Sequence, residues 1–308
     1  MSGLKYAQMH THSKYSVNAL SGEGVFHPYV WRLERRIMRA LMHTPEDLAK
    51  EARRRHVDFV AITDHNTLPT LGQERWEGAQ LIAGEEWGQK RGHANFTWIE
   101  RRIDPDAGYF PSVEPEKPLS FPEAAAMARQ AGAFITINHP FKKDSWRWGE
   151  ASYTYAHAIE IWNGPWSKEN ERAKLKWQEL LEEGLRIYAM AGNDYHVRAL
   201  FHLDREVVAL RNASTPSELL STLRRGEYSL AESTSSPVVI IEVGKHLYYT
   251  IEKSRGDLEL RVYTNRGWYT IKNPGERGLI EPKEGDKFVR IELWSGLRPL
   301  SFTNPVFL

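Results

Sequence analysis

The sequence predicts an α/β fold over residues 1–230 followed by an all-β segment over residues 231–308. Three observations carry that expectation: eight apolar or β-branched runs in the first part, helical patterns with clear starts and stops between several of them, and only short β-rich runs after Gly226. In chain order the first runs are LKYAQMH (4–10), VDFVAIT (57–63), QLIAGEE (80–86), HANFTWI (93–99), AFITIN (133–138), AIEIW (158–162), LRIYAMAG (185–192) and REVVAL (205–210), which read as buried strands. Helix starts stand at Thr44-Pro45-Glu46-Asp47, Ser120-Phe121-Pro122-Glu123, Ser167 and Thr215-Pro216-Ser217-Glu218, each offering a cap and early carboxylates. Gly132, Gly184 and Gly226 follow three of these stretches, where a left-handed terminating residue is expected. Such alternation predicts a barrel or a sheet covered by helices. Residues 24–43 place Val30, Leu33, Ile37 and Leu41 at helical spacing with Arg32, Arg35, Arg36 and Arg39 largely elsewhere, which reads as a solvated amphipathic helix covering the fold. Beyond Gly226, SPVVIIEV (236–243), LYYTIEK (247–253), DLELRVYT (257–264), WYTI (268–271), FVRIELW (288–294) and NPVFL (304–308) form the all-β appendage.

Composition narrows the function. The 308 residues carry 41 Lys+Arg against 40 Asp+Glu, a formal net charge of +1, which argues against a broad basic surface for nucleic acid or an anionic membrane. The first twenty residues lack a basic segment followed by an apolar run, and no stretch reaches the ~18 apolar residues of a membrane span, so a soluble cytoplasmic protein is expected. Its oligomeric state is left open. There is no cysteine, so any metal must be held by nitrogen and oxygen, and the spacing of the 12 histidines becomes informative. The 11 tryptophans mark packing anchors or an aromatic-lined pocket.

Five strand ends carry ligand-type residues. His10 and His12 alternate with Thr11 and therefore face the same way at the end of the first strand. Asp64-His65 ends the second apolar run abruptly, where parallel α/β folds place their chemistry. Glu85 and Glu86 follow the third; they point to opposite sides, so at most one enters a site, and His93 lies shortly beyond. Asn138-His139-Pro140 and Asn193-Asp194-Tyr195-His196 close two later strands in the same manner.

In order, HxH, TDH, GxE, GH, NHP and DxH, this chain resembles the PHP (polymerase and histidinol phosphatase) metallophosphoesterase superfamily. "GEEW…GHAN" with "NHPF", and the closing Thr303-Asn304-Pro305-Val306, most resemble its CehA/McbA branch. The resemblance implies a distorted (β/α)7 TIM-like barrel with two or three divalent ions, Zn, Mn or Fe, at the strand carboxyl ends. Carried over, His10, His12 and Asp194 would hold one ion, Glu86 would bridge, and His93 with His139 would hold the second. His65 and His196 would complete a third site or act on the substrate. Two departures stand out: Gln8 replaces the usual Asp before the first motif, and Asn18 sits where relatives often have His or Asp, which favours two tightly held ions.

Paired cations ~3.5–4 Å apart make a hydroxide nucleophile near neutral pH and clamp the substrate oxygen. His196 or His65 could protonate the leaving group, with Asp64 orienting one of them. Lys142, Lys143 and Arg198 follow the motifs closely enough to reach a phosphate. Cleavage of a small phosphate ester is the leading expectation. An aryl ester or carbamate, as in the CehA/McbA branch, is the enzymatic alternative, and a metal-stabilised binding protein is the non-catalytic one.

Overall fold

The computed structural model describes residues 3–16, 41–69, 71, 77–88, 91–106, 117–142, 146–197 and 202–308. Residues 24–40 of the expected arginine-rich helix, together with Asn18, His27, Lys143 and Arg198, lie outside the described residues.

Seven strands lie side by side in chain order: β1 Lys5–Thr11, β2 Phe59–His65, β3 Gln80–Trp87, β4 Ala94–Thr97, β5 Phe134–Ile137, β6 Ala158–Asn163 and β7 Tyr188–Gly192. The pairs β1/β2, β2/β3, β5/β6 and β6/β7 are parallel. By contrast β4 is antiparallel to both β3 and β5. β8 Arg205–Leu210 adds antiparallel to the outer edge of β1, and β9 Ser229–Ser233 follows it. β10 Val238–Val243, β11 Leu247–Glu252 and β14 Arg277–Ile280 form a separate three-stranded sheet. The main sheet continues from β9 through β16 Arg298–Thr303, β15 Phe288–Ser295 and β12 Glu259–Thr264 to β13 Gly267–Lys272, with β17 Val306–Phe307 on β15. The expected boundary between residues 230 and 231 falls within β9.

The closed barrel of the sequence expectation is corrected here to an open mixed α/β sheet. β1 gives its outer edge to β8, with Lys5, Tyr6 and Ala7 paired to Leu210, Ala209 and Val208, so a returning β7 cannot form a ladder there. Beyond that register β1 touches the segment after β7 only at an isolated bridge, Thr11–Tyr195, where His12 N donates to Tyr195 O at 2.7 Å, and the sheet stays open. Strict strand–helix alternation also fails between β3 and β4, because an antiparallel neighbour needs no crossover helix.

The helices start where the caps predict. In α1 (Pro45–Arg54) the Thr44 Oγ1 accepts from Asp47 N while Thr44 N donates to the Asp47 carboxylate. α2 (Phe121–Gln130) has Ser120 N on Glu123, α3 (Lys168–Glu182) is capped by Ser167, and α4 (Pro216–Arg225) by Thr215. Gly226 ends α4 at φ +70°, packed so closely on the Tyr188 ring that a Cβ would collide with it. Apolar residues Leu48, Ala49 and Ala52 turn inward from α1, and Phe59, Trp87, Phe96, Phe134 and Trp177 anchor the main core.

In the appendage, β11 and β12 alternate buried with half-buried residues, the pattern of a sheet with one packed face. Val239, Ile251, Leu260, Val262, Ile291 and Leu293 fill its core. The tryptophans divide between two places. Trp162 and Trp166 pack on Phe302 and Trp294 at the joint with the appendage, whereas Trp87 lies 5.9 Å from Trp148, which packs on the main core and under the Arg91 guanidinium. A single aromatic wall around the strand ends is therefore not what forms. Asn304 reaches β7: its Oδ1 accepts from Ala189 N at 2.7 Å, while Tyr228 donates to Ala189 O at 2.9 Å.

Candidate metal centre

Ends of β1, β2, β3, β5 and β7, with the turn before β4, converge on the fully buried carboxylate of Glu86. Its Oε1 lies 3.2 Å from His10 Nε2, 3.4 Å from His93 Nδ1 and 3.1 Å from His139 Nε2, and accepts from Asn138 Nδ2 at 2.9 Å. Its Oε2 lies 2.9 Å from His65 Nδ1 and 3.4 Å from His12 Nε2. Asp194 Oδ1 adds His12 Nε2 at 3.2 Å, His196 Nε2 at 3.1 Å and His10 Nε2 at 3.5 Å. All eight expected ligands are thus brought together from residues 10 to 196. Local sequence explains this: period-2 alternation aims His10 and His12 inward, and Glu86 inward while Glu85 turns away to accept from Ile103 N at 2.8 Å.

Three turn residues at these strand ends hold left-handed backbones, Asn66 at φ +46°, His139 at +25° and Asp194 at +53°, a strain of roughly 1–3 kcal/mol each that clusters at functional sites. Gly192 is required for a different reason. A Cβ there would sit 2.5 Å from His10 Cβ and 2.8 Å from Glu160 Oε1.

Electrostatics of the cluster reflect carboxylates packed among imidazoles. Burial opposes ionisation of Glu86, but His65, His93 and His10 outweigh it and hold its carboxyl well below the usual range; Asp194 is lowered against burial by His10, His12 and His196. Burial also opposes charge on His10, yet Glu160, Glu86 and Asp194 raise it well above an ordinary histidine, and the neighbouring carboxylates of Asp194 and Glu86 raise His12 to about 9 in spite of burial. His65 goes the other way, pushed down to about 3 by burial and the charge on His12, and His196 is lowered for the same reasons. The carboxylates thus favour the charged forms of His10 and His12, and a divalent cation would supply the same balancing charge directly.

The donor set fits such a cation. Four overlapping groups, His10–His12–Glu86–Asp194, His65–Glu86–His93, His12–His65–His196 and His10–His139–Glu160, each bring their ligand atoms within 4.8 Å of one another. His10 Nε2, His12 Nε2, His65 Nε2 and Glu86 Oε2 are buried without a hydrogen bond. His10, His12, His65 and Glu86 each belong to two groups, so more than one ion position is compatible with the cluster.

Other expected residues are placed differently. Asp64 does not orient His65 or His196: its Oδ1 and Oδ2 accept from Ser13 N and Ser13 Oγ, both at 2.6 Å, and burial pushes its carboxyl up to about 6. Ser13 follows the HxH motif directly, so Asp64 fixes the turn that aims His12. Lys142 stands at the rim, bonded to Asn163 Oδ1 and 3.7 Å from Asp194 Oδ2. Gln8 supports main chain, accepting from Asn193 N at 3.2 Å and donating to Arg205 O at 2.9 Å. The main-chain carbonyl of His202, a histidine outside the five strand ends, accepts from Asn193 Nδ2 at 2.5 Å and from Arg205 N at 3.0 Å. Sequence reasoning passed over Asn138 and Glu160; for Glu160 the signal was present, a carboxylate in the middle of the apolar run AIEIW.

No family model and no curated protein matches the chain. In fold it is similar to a two-domain protein from Bacteroides vulgatus containing a predicted PHP-like metal-dependent phosphoesterase, at a TM-score of 0.50 and 17% identity, over 99% of this chain and 96% of that one. That likeness spans both the ligand-bearing region and the appendage. A weaker likeness is to the lesion-specific endonuclease PfuEndoQ of Pyrococcus furiosus, at a TM-score of 0.46 and 14% identity, over 74% of this chain and 58% of that one. Among the described residues no helix is long and apolar enough to cross a membrane.

Proposed function

We propose that this chain is a metal-dependent hydrolase of the PHP type that cleaves a small phosphate ester. The observation that carries the proposal is Glu86, whose two oxygens lie within 3.4 Å of five imidazoles drawn from four separate strand ends and turns. In this reading two divalent ions, Zn, Mn or Fe, are held by His10, His12, Asp194, His65, His93 and His139 about a bridging Glu86. When bound, they supply an activated water and stabilise charge developing on the substrate oxygen. Asp194 and His196 form the open side, with side chains 20% and 15% exposed, and Lys142 beside them at 39% is placed to meet an anionic substrate group. His196 Nε2, hydrogen-bonded to Asp194, is the group positioned to pass a proton to a leaving oxygen. Buried Glu86 and the stacked His12 and His65 rings, 4.5 Å apart, exclude bulk water from the inner side. We further propose the division into a ligand-bearing unit, 1–230, and a β-rich unit, 231–308.

The test is hydrolysis of aryl phosphates and aryl carbamates side by side by Mn- or Zn-loaded protein. Phosphate release that disappears in Glu86→Ala and Asp194→Ala is expected. Carbamate cleavage alone would move the scissile centre from phosphorus to carbon, and hydrolysis unchanged in both variants would overturn the hydrolase.

A further inference from the structure

Resting on the metal-centre reading above, we infer that Glu160 is a positioning residue of that centre: it fixes the ring of His10 and the main chain of His139 from behind, and is not itself a ligand. Glu160 sits in the middle of β6, facing the interior, with only 2% exposure. Its Oε1 is 3.0 Å from His10 Nδ1, and its Oε2 accepts from His139 N and from Asn163 Nδ2, both at 2.8 Å. Both carboxylate oxygens are thus engaged by donors.

Geometry separates the two faces of the His10 ring. Nδ1 faces Glu160, whereas Nε2 faces Glu86 at 3.2 Å and Asp194 at 3.5 Å, the two carboxylates of the ligand cluster. With Nδ1–H donated to Glu160, the lone pair on Nε2 points into the cluster, the arrangement by which a carboxylate behind an imidazole sets its tautomer and raises its basicity as a ligand. One ring cannot offer both nitrogens to the same ion. Although Glu160 shares a donor group with His10 and His139, it therefore serves from outside the ion's position.

The bond to His139 N has a separate purpose. His139 precedes Pro140 and holds φ at +25°, a combination that a pre-proline residue avoids without restraint. Glu160 Oε2 supplies that restraint and so holds the imidazole 3.1 Å from Glu86. Gly192 allows the contact, since a Cβ there would meet Glu160 Oε1 at 2.8 Å. Gln8, in the position where a supporting carboxylate was expected, bonds only to main chain; the carboxylate behind His10 comes instead from β6.

Chelator-stripped full-length protein is titrated with Zn²⁺ against a chromophoric chelator, and the Co²⁺-loaded form is followed by its visible absorption. Glu160→Gln keeps the volume but replaces one acceptor oxygen by a donor; it is expected to weaken Zn²⁺ binding roughly 10–100-fold and to alter the Co²⁺ bands, with Glu160→Asp recovering part of both. A purely structural residue would lower the unfolding temperature and leave the Co²⁺ bands of the folded fraction as they are, which would overturn the inference. Unchanged Zn²⁺ affinity in Glu160→Gln would do so too. His93→Ala separates the levels: if it weakens Zn²⁺ binding while Glu160→Gln does not, the centre stands and only the role of Glu160 falls, whereas wild-type protein that takes up no Zn²⁺ removes the centre itself.

Discussion

Two carboxylates in this molecule, Glu86 at the strand-end cluster and Glu292 at the joint with the appendage, are both completely buried, and their surroundings have little else in common. Glu292 is satisfied by the protein. Arg290 Nη1 donates to it at 2.7 Å, Trp294 Nε1 at 2.9 Å, and Lys174 Nζ stands 3.5 Å away, while Arg290 also bonds Gln178 and packs on the Trp177 and Tyr263 rings. Glu86 is surrounded by imidazoles and by no permanent cation among the described residues, and several of the imidazole nitrogens make no hydrogen bond. A buried charge closed by permanent cations is architecture; one closed by imidazoles that a cation can replace is a binding site.

The largest expected effect breaks that contrast at its functional side. Glu86→Ala should abolish retention of divalent metal through gel filtration, measured by elemental analysis, because five imidazoles of the cluster meet at that side chain. Glu292→Ala should act in the opposite sense, costing about 3–5 kcal/mol of unfolding free energy by leaving Arg290 buried and unpaired, with metal per folded molecule unchanged. Denaturant titration checks it, and equal behaviour of the two variants would erase the distinction. Gly192→Ala should cost about 1–3 kcal/mol through overpacking against His10 and also weaken metal binding, joining the two measurements at one residue.

A fourth, smaller effect concerns a histidine outside the cluster. His157 Nδ1 accepts from Ile135 N at 3.0 Å, and burial, then Arg129 and Arg224, push its imidazole down to about 4. The unfolded chain takes up that proton near pH 6.5 while the folded chain resists to about 4, so the stability due to neutral His157 is whole above 6.5 and fades as pH falls through this window. The advantage of wild type over His157→Phe in urea unfolding should accordingly be smaller at pH 5 than at pH 7. A constant difference would mean that the imidazole does not stay neutral in the fold.

Strands with strong apolar runs were legible in the sequence: REVVAL occupies β8 residue for residue, and LYYTIEK and FVRIELW each lie within a residue of β11 and β15. β9, β14 and β16 were not, because SLAES, RGLI and RPLSFT mix small, charged and proline residues, and their strand character comes from neighbours paired across long stretches of chain. Ring closure was illegible for the same reason, since nothing near Lys5 announces that β8 will take its edge. The clustered imidazoles and carboxylates were legible because polar side chains gathered at strand ends stand out as isolated polar residues after apolar runs. Asp64 was misjudged because a motif gives adjacency in sequence, while its actual partner, Ser13, comes from a different strand end.

The carboxamide of Asn304 occupies the hydrogen-bonding slot that β7 would otherwise present to another polypeptide. A chain shortened before that residue would uncover an unprotected strand border five positions from Asp194 and invite self-association there. Leu308 itself is 53% exposed, so an affinity tag is better attached after it than substituted for the closing tetrapeptide.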